Sequence, residues 1–202
     1  MNLGSTTFLL VVEHQVPHTP GKLRVYGHDV STDKMVLVTI VELWGGDDVD
    51  AITEGNGALI AVTSRASTLT NATVSIFTAS FNNQILIIEA LQTIHVSEAY
   101  HCSFSVMPSG EIGLFIQTLN RIHLYLWKCV KFLYARQIIT PGAVWPSSEA
   151  FLYGDPGVLL IPFSGYGSWD PFSKEHTLYV LNSTLYTAIY RGDTVILPSY
   201  LL

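Results

Sequence analysis

The sequence predicts an all-β protein built from repeated short strands. Runs of Val, Ile, Leu, Thr, Phe and Tyr alternate with clusters of Gly, Pro, Asn, Asp and Ser along the whole chain, and helical periodicity is almost absent. A tripeptide of an acid, an alanine and a large apolar residue occurs three times, as Asp50-Ala-Ile52, Glu98-Ala-Tyr100 and Glu149-Ala-Phe151. Positions 50, 98 and 149 are 48 and 51 residues apart, which indicates a repeat of about 50 residues.

Three kinds of strand are predicted to follow one another in each repeat. A very apolar strand comes first, at residues 8–12, 58–62, 112–116 and 158–161. An aromatic-containing strand comes next, at residues 23–26, 74–77, 123–127 and 177–180. A third strand returns after a tight connection, at residues 35–40, 84–88, 131–135 and 184–189. We expect the very apolar strand to be the innermost one and to be covered on both faces, because it has no polar side.

Composition excludes several classes of partner. The chain has 202 residues, of which 49% are hydrophobic and only 13% charged, and its net charge is -6. Such a chain can form a sizeable core but offers no basic face to nucleic acid. Its apolar runs fall far short of the roughly 18 residues of a membrane helix, so no membrane span is expected. No leader is recognised at the N-terminus, and a secreted protein would carry its leader outside this chain.

Short strands in units of about 50 residues are typical of a β-propeller, in which four-stranded blades pack face to face. We therefore predict one propeller segment over residues 1–202, with about four blades at approximate residues 1–52, 53–100, 101–151 and 152–202. Such a segment could be an arc of a longer array, could close as four blades, or could pair with a second chain into an eight-bladed ring. An arc would leave open blade edges, through which copies could associate.

The third unit resembles the EAR repeat, also called the EPTP repeat. Residues 123–165 contain a Leu-Tyr-x-Trp strand, an aromatic return strand ending in Gln137-Ile-Ile, a Thr-Pro-Gly turn at 140–142, and then an acid and a final apolar strand. Residues 42–67 are similar to the back half of another copy. EAR repeats occur in the leucine-rich glioma-inactivated proteins and in the very large adhesion G-protein-coupled receptor. The resemblance implies a β-propeller in an extracellular glycoprotein that binds other proteins, as an adhesion or receptor module.

The acidic loop at residues 47–54 admits two interpretations. Asp47, Asp48, Asp50 and Glu54 have the oxygen ligands that a hard cation prefers, but their spacing does not fit an EF-hand and the other repeats offer one acid each. We favour a structural role, in which the recurring acid accepts backbone N–H groups or faces a neighbouring blade, and expect no metal. Gly55-Asn-Gly57 is interpreted as a hairpin turn, because a strand and not a helix follows it.

Histidines and cysteines give no catalytic signature. His14 and His18 are separated by Pro17, which excludes a continuous helix that would direct both at one ion. His95 and His101 flank Glu98 and form the one histidine–acid grouping of note. Cys102 and Cys129 can form one disulfide in an oxidising compartment, or remain buried free thiols. Paired carboxylates from distant blades stay open, but the sequence nominates none.

A long aromatic loop is the candidate binding site. Tyr166, Trp169 and Phe172 lie in a Gly- and Pro-rich connection that should extend from the rim, although packing against the blade is the alternative. Asn71 and Asn182 begin sequons for N-glycosylation. We therefore expect a non-enzymatic, cofactor-free extracellular module that binds a receptor or other cell-surface protein through rim loops. The alternatives are a propeller-type enzyme, such as a glycosidase or lactonase with a central-channel site, and a purely architectural segment of an adhesion receptor.

Overall fold

A computed structural model of the chain describes residues 1–13, 21–43, 45–64, 73–107, 110–118, 121–139, 151–153, 158–162, 175–181, 185–191 and 194–195. These residues form seventeen β-strands and no helix, arranged in three four-stranded sheets and one five-stranded sheet. The all-β prediction is confirmed. Within the described part of the chain, no helix is long and apolar enough to cross a membrane.

Every sheet is an antiparallel meander, in which strands that follow one another in the chain are neighbours. The first sheet has the order β1 (Asn2–Leu3), β2 (Thr6–Glu13), β3 (Gly21–Asp29), β4 (Lys34–Leu43). The second has the order β5 (Asp48–Glu54), β6 (Gly57–Ser64), β7 (Thr73–Asn82), β8 (Ile85–His95). The third contains β9 (His101–Val106), β10 (Ile112–Gln117), β11 (Arg121–Lys128) and β12 (Lys131–Ile139). The fourth contains β13 (Phe151–Tyr153), β14 (Val158–Pro162), β15 (Glu175–Leu181), β16 (Leu185–Arg191) and β17 (Thr194–Val195).

The predicted strand phases are confirmed as the second, third and fourth strands of the sheets. The very apolar runs lie in β2, β6, β10 and β14, and the aromatic-containing runs lie in β3, β7, β11 and β15. The sequence did not show the first strands as a class. The predicted boundary between residues 52 and 53 falls inside β5, whose hairpin with β6 places it in the second sheet.

A β-bulge recurs at the same place in the first three sheets and aligns them. It lies between the third and fourth strands, at Val25/Tyr26, Ile76/Phe77 and Leu124/Tyr125. Positions 25, 76 and 124 are 51 and 48 residues apart, so the bulge keeps the period of the sequence repeat. In each sheet an aromatic residue follows the bulge. In the second strand of each sheet, the residue paired with this aromatic is Leu9, Ile60 or Leu114, respectively. These three positions are therefore equivalent.

The chain divides into two compact units, Met1–Phe104 and Ser105–Leu202, and the boundary falls inside β9. In the first unit, the first two sheets pack through one apolar cluster. The buried side chains of this cluster are Leu3, Phe8, Leu23, Val25, Leu43, Ala58, Ile60, Val62, Phe77 and Ala79. In the second unit the described core lies on three strands, with Leu114, Phe115, Ile116, Ile122, Leu124 and Phe132 buried.

The very apolar strand is the second strand of its sheet, and its burial differs between sheets. β6 and β10 are buried almost throughout, as predicted for a strand covered on both faces. β2 is not, since Leu9 is 49% exposed whereas Phe8 is 2% exposed. One face of β2 packs on the second sheet, whereas Leu9 and Val11 on the other face are exposed. The prediction of two covered faces is therefore wrong for β2.

Tight turns join several pairs of strands in the described part of the chain, as the sequence predicted. Gly55 begins the two-residue turn between β5 and β6 with a φ of 57°, which glycine adopts without strain. Gly55-Asn-Gly57 is thus a hairpin turn, as predicted. The turns between β7 and β8 and between β11 and β12 contain Asn83-Gln84 and Cys129-Val130, all four with positive φ. This is the pattern of a type I′ hairpin.

Candidate functional site

The acidic loop places two carboxylates on one face of a strand. Asp48 and Asp50 both lie in β5, and because side chains alternate along a strand, residues two apart point to the same side. The chain enters β5 through a backbone hydrogen bond from Asp47 N to Thr63 O of 2.9 Å. β5 is the first strand of its sheet, so one of its edges has no neighbour within that sheet.

Both carboxylates bind the backbone of β9, the first strand of the next sheet. Asp48 Oδ2 accepts a hydrogen bond from Cys102 N at 2.9 Å, and Asp50 Oδ2 accepts one from Phe104 N at 2.6 Å. N–H groups two residues apart point to the same edge of a strand. The carboxylates therefore occupy positions where a further strand would place carbonyl oxygens. We call this arrangement of Asp48, Asp50 and the Cys102 and Phe104 N–H groups the carboxylate clamp.

A histidine completes the carboxylate clamp at its Asp48 end. His101 Nδ1 lies 2.6 Å from Asp48 Oδ2, and the His101 side chain is only 13% exposed. An ionised Asp48 accepts a hydrogen bond from Nδ1–H of His101, so the two nitrogens of the ring have different surroundings. Nε2 is buried and has no hydrogen-bond partner among the described residues. The pair therefore combines a carboxylate-bound Nδ1 with an Nε2 that is closed to solvent.

The two carboxylates have opposite pKa shifts. Burial raises the pKa of Asp48, but the hydrogen bonds from His101 and from Cys102 N outweigh burial, and the result is a lowered pKa. Burial raises the pKa of Asp50, and hydrogen bonds from Phe104 N and Ala51 N offset it only in part. Asp48 is therefore ionised over a wider pH range than Asp50. The difference follows from their partners, because only Asp48 accepts a hydrogen bond from the histidine.

Cys102 is part of the packing around the carboxylate clamp and not a nucleophile. It is buried, and its Sγ donates a hydrogen bond of 3.5 Å to Ala61 O. Burial, with the nearby Asp48 and Asp50 charges, raises the pKa of the Cys102 thiol well above its ordinary value. The thiolate, which is the reactive form, is therefore disfavoured.

The structure contains Cys102 and Cys129 as free thiols, Cys102 buried and Cys129 exposed in the turn after β11. It does not contain the disulfide that the sequence allowed. Buried Cys102 matches the alternative, a free thiol in an apolar strand. Cys129 does not, because a two-residue turn at the end of a hairpin exposes it.

The acidic loop brings together fewer than three metal-ligating side chains within the described part of the chain. No group of three or more His, Cys, Asp or Glu side chains there is arranged to hold an ion. The oxygens of Asp48 and Asp50 bind N–H groups, which is the backbone role expected for the recurring acid at position 50. Glu98 does not repeat it, since it lies in the turn before β9 with a φ of 60°. The tripeptides at 50 and 98 are therefore not equivalent in structure.

The sequence grouped His95 and His101 with Glu98, but the structure pairs His101 with Asp48. His101 binds Asp48, which lies 53 positions earlier in the chain, and not the neighbouring Glu98. His95 ends β8, where its backbone is paired with Thr73. The signal that the sequence contained is the alternation of Asp48 and Asp50, which places both carboxylates on one side of β5.

Several predicted residues lie outside the described part of the chain. They include the candidate binding residues Tyr166, Trp169 and Phe172, the sequon residues Asn71 and Asn182, and also His14, His18 and Glu149. The predictions for these residues stay predictions.

No protein-family model and no curated protein sequence matches this chain. Among solved structures, it is similar to a hypothetical selenium-binding protein from Sulfolobus tokodaii, with a TM-score of 0.51 and 9% identity, covering 84% of this chain and 43% of that one. A putative 6-phosphogluconolactonase from Bacteroides fragilis matches with a TM-score of 0.30 and 8% identity, covering 94% of this chain and 83% of that one. The first similarity is one of fold, and this chain spans less than half the length of the selenium-binding protein.

Proposed function

We propose that this chain is a non-catalytic, protein-binding segment made of β-propeller blades, and that it acts outside the cell as an EAR-type module. The observation that carries the proposal is the carboxylate clamp. In this group of titratable side chains, two carboxylates hold one strand to the backbone of another. Its chemistry is that of assembly, because both carboxylates accept hydrogen bonds from backbone N–H groups of another strand.

The blade interpretation draws on the repeated sheets. Each is a meander of four strands or more, the first two pack face to face, and Asp48 and Asp50 join the first strands of the second and third sheets. In a propeller, the first strands of successive blades lie side by side around a central channel. The bulge that recurs beside an aromatic residue in three sheets supports the same assignment.

The binding surface in this proposal is the aromatic loop at residues 164–176, with a second loop at residues 63–73. The extracellular location follows from the EAR resemblance and from the sequons at Asn71 and Asn182. Tyr and Trp on projecting loops provide large contact areas at small cost in conformational entropy. The partner is expected to be a cell-surface protein.

Binding of the secreted chain to intact cells tests this proposal. The chain, expressed with an added leader and a fluorescent label, is titrated onto cultured cells before and after surface trypsin treatment. We expect saturable binding that trypsin abolishes and that alanine at Tyr166, Trp169 and Phe172 weakens at least ~10-fold, as for truncated anchor residues. Alanine at the exposed Leu133 and Tyr134 of β12 is the matched control. Absence of saturable binding, or equal binding by both variants, would contradict the proposal.

A propeller-type hydrolase is the second candidate, and the His101–Asp48 pair is the observation that favours it. A histidine whose Nδ1 is held by a carboxylate is the arrangement of a general base. The burial of Nε2 argues against this function, since a substrate would have to reach that atom. Hydrolysis of chromogenic glycosides or lactones, lost in His101→Gln with the fold retained, would favour the enzyme over the binding module.

A further inference from the structure

The β11–β12 hairpin has a charge opposite to that of the rest of the chain. Residues 121–139 contain four of the ten Lys and Arg residues and none of the sixteen Asp and Glu residues. The hairpin therefore has a charge of +4, whereas the remaining residues, with six basic and sixteen acidic side chains, have a charge of -10. Segregation of charge of this kind is typical of a surface that attracts an oppositely charged partner.

Three of the four cations lie on one face of the hairpin. Lys128 is paired with Lys131 beside the turn, and Arg136 is paired with Leu124. Leu124 and Lys128 are an even number of residues apart on β11, so their side chains and those of their partners point to the same side. The fourth cation, Arg121, is an odd number of residues from Lys128 and points to the other side. We call the surface formed by Lys128, Lys131 and Arg136 the basic face.

The cations of the basic face are accessible to a partner. All three side chains are exposed. Lys128 Nζ lies 3.2 Å from Glu111 Oε1, whereas Lys131 and Arg136 have no carboxylate partner in the described part of the chain. Lys128 and Lys131 are directly opposite each other, and like charges in that arrangement destabilise a hairpin. A bound anion would therefore relieve repulsion at the turn as well as pair with the cations.

The spacing of the cations indicates which kind of anion they can bind. Leu126 and Leu133 are paired between the two ends of the basic face, so about 14 Å of largely aliphatic surface separates Arg136 from the lysines. A nucleic acid duplex, with one charge per ~1.7 Å, requires a more continuous row of cations, and an anionic membrane is recognised by clusters of about 4–8. An extended peptide can instead place acidic side chains at the two ends and an apolar side chain between them.

We propose that the basic face binds an extended, acidic segment of a partner protein. The two lysines pair with acids at one end of the segment, Arg136 pairs with an acid at the other end, and the leucines contact an apolar residue between them. Because exposed ion pairs are individually weak and are screened by ions, the affinity is moderate and falls as the salt concentration rises. The basic face uses residues distinct from the aromatic loop of the proposed function and does not depend on it.

Binding of a defined peptide to the full chain tests the proposal. The probe is a fluorescently labelled peptide, Glu-Glu-Ser-Leu-Ser-Glu-Glu, whose anisotropy is followed at low and physiological salt. We expect saturable binding that salt weakens and that a peptide with Gln in place of Glu lacks. Lys131→Glu and Arg136→Glu should each raise the dissociation constant about 3- to 10-fold. Arg121→Glu, the matched control, makes the same change in net charge on the other face of β11 and should leave binding unchanged.

Circular dichroism and the urea midpoint show whether each variant is folded, and two basic-face variants guard against one that fails to fold. Absence of peptide binding overturns the proposal, and so does equal weakening by Arg121→Glu. Tighter binding of heparin, single-stranded DNA or anionic vesicles than of the peptide would contradict it by assigning the basic face to another class of partner. Salt-sensitive self-association in light scattering would contradict it in favour of a second copy. Because the titration uses purified components, its failure is distinguishable from a failure of cell binding.

Discussion

Asp48 and Asp50 differ in chemistry although they lie two residues apart on one strand. Both accept an N–H group of β9, and burial acts on both. The hydrogen bond from His101 to Asp48 makes the difference, because it stabilises the charged form of one carboxylate alone. One partner therefore decides whether a buried acid favours its charged or its neutral form.

This difference predicts opposite pH dependences for Asp48→Asn and Asp50→Asn. The pKa of Asp48 is lowered, so its contribution to stability is present above its ordinary value of 3.8 and is lost as the pH falls through its folded-state pKa. The pKa of Asp50 is raised, so its contribution is present below 3.8 and is lost as the pH rises through its folded-state pKa. From acid to neutral pH, Asp48→Asn should lose stability relative to the native chain, and Asp50→Asn should gain it.

Urea unfolding of the native chain and both variants between acidic and neutral pH measures these differences. Each variant serves as the control for the other, because both remove one charge and keep one amide oxygen as an acceptor. If the two differences change in the same direction with pH, the assignment of His101 to Asp48 alone is wrong.

At the scale of strands, the sequence predicted the second, third and fourth strands of each sheet because their apolar runs are long. The first strands were harder to recognise because they lack a long apolar run. β9, for example, has the sequence His-Cys-Ser-Phe-Ser-Val, and carboxylates accept hydrogen bonds from the N–H groups at its edge. The match between the tripeptides at 50 and 98 was misleading because one lies in a strand and the other in a turn. The His101–Asp48 pair could not be predicted from local spacing, because it joins strands of different sheets.

The β11–β12 turn contains a residue that is poorly suited to its conformation. Val130 has a φ of 67° and is 75% exposed, so it is β-branched in the left-handed region with little packing to hold it there. Gln84 has the same φ in the matching turn between β7 and β8 but is unbranched. The strain in the β11–β12 turn is therefore expected to come from its side chain as well as its backbone.

We expect Val130→Gly to stabilise the chain. Left-handed strain of about 1–3 kcal/mol is relieved, while the extra freedom of glycine in the unfolded chain returns about 0.5–1 kcal/mol. The net gain should be about 1 kcal/mol, and Gln84→Gly, the control, should have an effect closer to zero. Both are measured from the urea midpoint at constant slope. An equal gain in both turns would mean that β-branching is not the cause.

For the whole molecule, the decisive question is which sheet faces are covered. The sequence run Phe-Leu-Leu-Val-Val at 8–12 is as apolar as Ala-Leu-Ile-Ala-Val at 58–62, yet only the second is buried on both faces. Apolar content alone cannot reveal whether a neighbouring sheet is present, because it records what a strand can bury and not what lies beside it. When the sheets are aligned by their bulges, Leu9 and Ile60 occupy equivalent positions, and only Ile60 is buried.

Alanine at these two equivalent positions should therefore have unequal effects. Ile60 is fully buried, and Ile60→Ala should destabilise the fold by about 2–5 kcal/mol through lost burial and a residual cavity. Leu9 is 49% exposed, and Leu9→Ala should cost less than about 1 kcal/mol. Urea unfolding of both variants makes this comparison. Equal costs would mean that Leu9 is covered in the folded chain.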